Sequence, residues 1–398
     1  MLECACVAAG VAVSDDGINW QRSAGNVEGN RTAQDVGACL ESDQGDWWTL
    51  DTCAVAVADV QMFASANVSG GSGLYWMFYT GCDFQPVKAP QGLPGMIADE
   101  EVEGLCARPG LAMSQVTPHH HHGDVAVHTH AVCVSQGVRL ETVASGRVLT
   151  CMQDGRNWAR IEADHHTHAL FDRGEEGEWD SLFAAGPQVV AAGPKDMRLY
   201  YHSFDASQGR YRIGLATSED GFTCASSLGY RTAGQSVLLE CMSVASWAVK
   251  LSPKLQSLCC RWAKQGPLFS GGGAGDFDSR GAGAHCVVRD LDSRQFYMFY
   301  EAFDGAGSRS IGFAQSPDGL SDWTRHPEPV LQASAHEDAW DDGEVGAPYA
   351  VSMAAGKWRL YYAGKRAGDS AWSGIGVALS VAQADALAPP TQFARRVE

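Results

Sequence analysis

Bulky residues alternate with smaller ones along FYMFYEAF (Phe296 to Phe303), and the same alternation returns in SIGFAQS (Ser310 to Ser316) after a glycine-containing link, Asp304 to Gly307. A period of two is that of a strand with one buried face, so the stretch predicts a two-stranded hairpin. Pro317-Asp318-Gly319 then predicts a turn: proline presets φ, aspartate caps its own backbone, and glycine accepts positive φ. Trp323 begins a further strand.

The unit recurs along the chain. The second strand with its turn reads GVAVSDDGINW from Gly10, GLAMS from Gly110, IGLATSEDGF from Ile213 and IGVALS from Ile375. The first strand reads LYWMFYTG from Leu74, RLYYHSF from Arg198 and RLYYAGK from Arg359. Ahead of each first strand stands a third element: DWWTLDTCAVAVADV from Asp46, EWDSLFAAGPQVV from Glu178, DFDSRGAGAHCVV from Asp276 and AWDDGEVGAPYAV from Ala339. With the strand that starts at the tryptophan, each unit holds four antiparallel strands, which is one propeller blade.

The glycines of the repeated IG or GL strand lie about 100, 104, 98 and 64 residues apart. Two inserts account for the irregularity. Residues 116–153, with a four-histidine run, separate GLAMSQ from DGRNWARIE, and residues 223–261 separate SEDGF from WAKQGPLF. Without them the second and third spacings shorten to about 66 and 60 residues, close to the uninterrupted 64. Both inserts break a tight turn and lack alternation, and they read either as disordered loops or as untranslated gene sequence carried into the chain. Valine codons begin with GT and glutamine is encoded by CAG, the two ends of an intron, which fits the second reading at 116–153. Only nine residues precede Gly10, so the first blade lacks most of its inner two strands. The expected fold is all-β, a single domain over 1–398: a five-bladed β-propeller, four antiparallel strands per blade, with the first blade incomplete.

Composition agrees with many short strands and tight turns: 45 glycines among 398 residues, with Trp 12, Tyr 11 and Phe 14. A net charge of −18 repels phosphate backbones and anionic lipid surfaces, so neither nucleic acid nor membrane is an expected partner. No apolar run is long enough to span a bilayer, and MLECACVAAG lacks the basic region and apolar core of a secretory leader, so a soluble intracellular protein is expected. Thirteen cysteines, scattered singly through apolar segments with no CxxC pair, read as mostly reduced buried thiols.

The S-x-D-G-x-x-W turn (Ser14 to Trp20, and one residue longer at Ser316 to Trp323), with the YYxG strands and P-x-V inner strands, resembles the five-bladed propeller superfamily of arabinanases, levansucrases and invertases, including glycoside hydrolase families 43, 32 and 68. The resemblance spans nearly the whole chain outside the inserts. It implies carboxylates on inner strands around a central funnel, because cleaving a glycosidic bond takes an acid on the leaving oxygen and a carboxylate on the opposite face. Aligned on the aromatic-Asp pair, Asp51, Asp180, Asp278 and Asp341 occupy one repeated position. Asp51, Asp180 and Asp278 are the candidates for base or nucleophile and Asp341 for substrate binding, although a residue repeated in every blade more often closes the blade. The family's E-G-P acid is absent, its place reading Ala185-Gly186-Pro187, and Glu344, shifted by two positions, becomes the candidate acid. Asp59, His202, Asp205, His285 and Glu301 vary from blade to blade; of these His202, His285 and Glu301 are the expected substrate contacts.

Elsewhere the chemistry is thin. The histidines at 119–122, 128 and 130 lie inside an insert, so no metal site is expected. His165, His166 and His168 read as a loop at the funnel mouth with sugar contact as the alternative. Gly271 to Gly275 precedes no helix and is not a phosphate loop, there is no HExxH or G-x-S-x-G, and no cofactor is called for. The expected function is a glycoside-hydrolase-like protein that cleaves or binds a carbohydrate or other small-molecule substrate in its central funnel. The alternative is a non-catalytic propeller for sugar binding or protein interaction. Sugar, linkage, stereochemical outcome and oligomeric state are left open by the sequence.

Overall fold

A computed structural model of the chain describes residues 8–22, 38–43, 45–64, 73–115, 158–163, 165–219, 221, 262–290, 293–336, 338–353, 356–381 and 389–396. Four antiparallel four-stranded sheets dominate it. Blade one comprises Ala54–Ala64, Gly73–Cys82, Ala107–Gln115 and Ala159–Arg160; blade two Ala185–Gly193, Asp196–Asp205, Arg210–Ser218 and Ala263–Phe269. Blade three comprises Ala282–Arg289, Phe296–Phe303, Arg309–Ser316 and Thr324–Arg325; blade four Glu344–Ser352, Trp358–Lys365, Gly374–Ser380 and Phe393–Arg395. In each the strands neighbour one another in chain order, as the repeat predicts.

The repeated residues have physical reasons. The third-strand glycine lies beneath the aromatic rings that cover it: a Cβ on Gly110, Gly312 or Gly376 would stand 2.4, 2.3 or 2.6 Å from the ring of Tyr79, Tyr300 or Tyr362, so only glycine lets the ring lie flat on the strand. In the turn, Ser316 Oγ accepts the Gly319 N–H at 2.9 Å, and Asp318 Oδ1 accepts those of Leu320 and Ser321 at 2.8 and 2.9 Å. Gly319 has φ +71°, open to glycine without strain. Backbone donors hold the Asp318 carboxyl down at about 2. Ser14, Asp16 and Gly17 repeat this geometry, with Gly17 at φ +69°.

Neighbouring blades are stapled through one inner-strand position. Asp59, Gln188 and Cys286 stand opposite Phe78, Tyr200 and Phe299 in their own sheets. Each accepts the backbone N–H of the next blade's inner strand: Val189 to Asp59 Oδ2 at 3.2 Å, Val287 to Gln188 Oε1 at 2.5 Å, and Ala350 to Cys286 Sγ at 3.3 Å. The facing carbonyls are also met, by Gln61 Nε2 at Val189, Gln188 Nε2 at Val287 and the Cys286 thiol at Ala350. One strand pairs with the next blade through a side chain, which a buried inner edge requires.

Burial pushes the Asp59 carboxyl up to about 6. A raised carboxyl pKa means that the folded state holds the proton more tightly than the unfolded chain. Its contribution is therefore full below the ordinary value near 3.8 and is lost as pH rises through about 6. Gln188 shows that an amide serves this position. Asp59→Asn is expected to be more stable than the parent above pH 6, by roughly 1–3 kcal/mol, and indistinguishable from it near pH 4. Urea unfolding at the two pH values checks this.

The blade count differs from the expected five: the described residues form four complete blades and an N-terminal remnant. The remnant consists of two small sheets, Ala9–Gly10 with Ala38–Leu40 and Ala12–Val13 with Gln21–Arg22. It nevertheless meets blades on both sides. Ala9, Cys39 and Leu40 pack on Leu50, Val55, Met77 and Tyr79 of blade one. On the other side Arg359 Nη1 of blade four donates to the Asp16 carbonyl at 2.8 Å and Tyr361 OH to that of Gly17 at 2.6 Å. Blade two makes the same contacts to blade three, Arg198 to the Asp318 carbonyl and Tyr200 OH to that of Gly319 at 2.9 Å. What the remnant lacks is coverage: Ile213 and Ile311 are fully buried beneath the following blade, whereas the equivalent Ile375 is 82% exposed.

The inserts at 116–153 and 223–261 lie outside the described residues, as do the histidines at 119–122, 128 and 130. Cys39, Cys82, Cys106 and Cys286 are free thiols, buried or half-buried, while Cys53 takes part in a disulfide. Among the described residues no helix is long and apolar enough to cross a membrane.

Candidate functional site

The four repeated aspartates share one geometry. Asp51, Asp180, Asp278 and Asp341 are all buried at the head of an inner strand. Each accepts a hydrogen bond from the second-strand tyrosine of its own blade: Tyr79 at 3.2 Å, Tyr201 at 2.9 Å, Tyr300 at 2.7 Å and Tyr362 at 2.9 Å. Each also pairs with a cation from the outermost strand, Arg160 at 2.7 Å, Lys264 at 2.9 Å, Arg325 at 3.2 Å and Arg395 at 2.7 Å. Burial, reinforced by the adjacent carboxylate, raises the tyrosine hydroxyls and keeps them donors. These contacts tie the first, second and fourth strands of one blade together. They bring no two of the aspartates to a common point.

The residue after that tyrosine differs between blades, being Thr80, His202, Glu301 and Ala363, and it faces the next blade. Thr80 Oγ1 accepts the Gly186 N–H at 2.9 Å, and Glu301 Oε2 accepts the Ala347 N–H at 3.0 Å. His202 packs over Gly186, which has φ +64° and would place a Cβ 2.8 Å from the imidazole. It meets His285 of blade three edge to face at 5.8 Å. Burial pushes both rings down, His202 to about 3 and His285 to about 4, so the pair is neutral near pH 7. Asp205 caps a turn, accepting from Ser207 Oγ at 2.6 Å and pairing with Arg212 at 2.9 Å.

Glu301 and Glu344 are brought together by a residue the sequence did not single out. Arg309 lies 3.2 Å from Glu301 Oε1 and 3.5 Å from Glu344 Oε2, and its guanidinium stacks over Phe303 and Trp372, both 5.3 Å away. Lys365 pairs with Glu344 at 3.0 Å. Burial raises the Glu301 carboxyl, the first-order effect, against the opposing charge of Arg309. The position opposite the variable residue is small where the pairing is direct, Ala56 facing Thr80, Ala185 facing His202 and Gly346 facing Ala363. The absence of an acid at Ala185 thus extends to the other blades.

A cleft of about 650 Å³ opens over the start of blade one's inner strand. Four segments build it: the run from Asp43 to Thr52, the link Asp83 to Gln85 after the second strand, Arg108 of the third strand, and His166 with Thr167 on the way to blade two. Its walls are Trp47, Trp48 and Phe84, with Trp47 88% and Phe84 45% exposed. In the other blades the aromatic just before the aspartate is used in packing, Trp179 against Gly214 and Trp340 against Gly364 and Gly376. In blade one that place is taken by Leu50, 1% exposed and seated against Gly81. Trp47 is therefore left over from blade construction. The signal was legible as WWTLD against EWD and AWDD, a tryptophan pair displaced from the repeat.

The cleft's floor is polar. Arg108, nearly buried, pairs with Asp83 and with Asp172, each at 2.7 Å. Asp172 also receives His165 Nε2 at 3.3 Å, while His165 Nδ1 meets Thr167 Oγ1 at 2.8 Å and its ring lies 4.2 Å from that of His166. Burial would raise the Asp172 carboxyl, yet the Arg108 hydrogen bond and charge outweigh it and hold it below the usual range. Burial pushes His165 down. His168 stacks edge-on against Trp48 at 4.7 Å, fixing one cleft wall. Among the described residues no group of three or more His, Cys, Asp or Glu side chains is placed to hold a metal ion.

No protein-family model matches the sequence. No curated protein matches it either. Solved structures similar to the chain include several described as glycoside hydrolases, a β-1,2-mannobiose phosphorylase and an N-acetylgalactosamine deacetylase. A family 117 glycoside hydrolase of the marine bacterium Zobellia galactanivorans is 10% identical, with a TM-score of 0.45 over 86% of this chain and 69% of that one. An α-L-arabinofuranosidase from Lactobacillus brevis is 11% identical, with a TM-score of 0.45 over 86% and 73%. A thermostable family-43 glycoside hydrolase is 13% identical, with a TM-score of 0.44 over 86% and 72%. The four four-stranded antiparallel sheets by themselves make the fold an all-β propeller arrangement.

Proposed function

We propose that the chain is a carbohydrate-binding propeller that holds its glycan in the cleft over blade one, on a ring whose fifth place is filled by the N-terminal remnant. The observation that carries this is the exposed pair Trp47 and Phe84, rings not used in closing the blade, set above a floor of hydrogen-bonding groups. A pyranose offers an apolar C–H face to such rings and hydroxyls to such a floor. On this reading Asp51, Asp180, Asp278 and Asp341 close blades, and His202 and His285 pack blade two on blade three. A glycan array with the purified chain tests the proposal: selective retention of a set of oligosaccharides supports it, and retention of none overturns it.

A hydrolytic reading is favoured by one arrangement, Glu301 and Glu344 on either side of Arg309. Two carboxyl groups in unlike surroundings are what acid and base catalysis on a glycosidic bond requires. Burial makes Glu301 the member suited to hold a proton, while Glu344 is the one paired with both Arg309 and Lys365, the reverse of the acid role assigned to Glu344 on sequence. Against it stand the small residues at Ala56, Ala185 and Gly346. If the chain hydrolyses the glycans it retains, Glu344→Gln is expected to lower turnover at least about a hundredfold without altering retention; undiminished turnover excludes the pair.

A further inference from the structure

Resting on that reading of the cleft, we infer that its ligand is an uncharged glycan and that glycans carrying uronate or sulfate groups are turned away. Among the described residues the cleft's lining holds two carboxylates, Asp43 and Asp83, and one arginine, Arg108. That arginine is committed: its guanidinium is nearly buried and is shared at 2.7 Å between Asp83 and Asp172, so its charge is more than matched before any ligand arrives. Among the described residues no lysine and no second arginine lines the cleft. Asp43 accepts the Gly45 N–H at 2.8 Å, and the cation within electrostatic reach of it, Arg160, is already paired with Asp51 at 2.7 Å. An entering anion would meet excess negative charge at short range, in a cleft with aromatic walls, on a protein whose own charge is −18.

The polar groups suit a neutral sugar instead. The Asp83 carboxylate and the Gln85 amide accept from or donate to hydroxyls, while Trp47 and Phe84 take the C–H face, a combination that needs no ligand charge. The specificity comes from repulsion as much as from attraction, since rejecting a competitor needs an unfavourable element facing it.

The test is an array printed with neutral oligosaccharides beside their uronate and sulfated counterparts, read at neutral pH in low and in high salt. Neutral members are expected to be retained at least about tenfold more tightly than their acidic counterparts in low salt, with the difference shrinking in high salt. Asp43→Asn is expected to narrow the gap several-fold while neutral glycans are still retained. Acidic glycans bound as tightly as neutral ones, or a gap unchanged in Asp43→Asn and by salt, overturn this inference and leave the binding reading standing. Retention of no glycan of either kind overturns both.

Discussion

Replacing Trp47 and Phe84 together with alanine is expected to reduce glycan retention by roughly 30- to 1000-fold while leaving the urea midpoint unchanged. Anchor aromatics at a binding surface contribute about 2–4 kcal/mol when truncated, and each 1.4 kcal/mol is a factor of ten. Stability is spared because Trp47 is 88% and Phe84 45% exposed, and neither closes a blade. Trp179→Ala is the matched control: that ring lies against Gly214 and stacks near Tyr201 at 5.3 Å, so its loss is expected to destabilise the fold and spare the ligand. Retention that survives in the double variant removes the cleft from the account.

Asp278→Ala is expected to destabilise the chain by roughly 3–5 kcal/mol, the usual cost of deleting one partner of a buried charge pair. It leaves Tyr300 OH without its acceptor at 2.7 Å and removes the buried carboxylate 3.2 Å from Arg325, which keeps Asp276 at 2.7 Å. Asp278→Asn keeps an acceptor for the tyrosine and is expected to cost less, because only the pairing with Arg325 is lost. Urea unfolding of the two variants separates a blade-closing aspartate from a catalytic one. A variant with parental stability and no activity toward any retained glycan would place Asp278 in the chemistry instead.

The repeat was legible because its causes are local. A glycine beneath a tyrosine ring, an aspartate collecting the N–H groups of its own turn, and alternation along a strand all arise within a few residues or one hairpin. The repeated strand around Gly10, Gly110, Gly214, Gly312 and Gly376 therefore announces blades in the sequence itself. The same locality carries no information about which side chains meet across the blade. Asp51, Asp180, Asp278 and Asp341 stood at the head of inner strands, where the resemblance to glycoside hydrolases asks for carboxylates. Their Tyr and Arg or Lys partners come from the second and outermost strands, which only the closed sheet brings within 2.7–3.2 Å.

The remaining features belong to packing between blades. Asp59 reads as a lone polar residue in an apolar strand, yet it stands where Gln188 and Cys286 stand, facing a backbone edge that exists only when the next blade is in place. Glu301 and Glu344 are 43 positions apart, and Arg309 joins them because blades three and four abut. The cleft is assembled from Asp43, Asp83, Arg108 and His166, segments with no shared periodicity. The sequence by itself determined the all-β repeat, the strand order within a blade and the position of the remnant, since hydrophobic period and turn chemistry are properties of short stretches. Tertiary structure decided which carboxylates are closed off in ion pairs, which aromatic rings remain exposed and what charge the cleft presents, because each depends on groups that only the folded ring brings together.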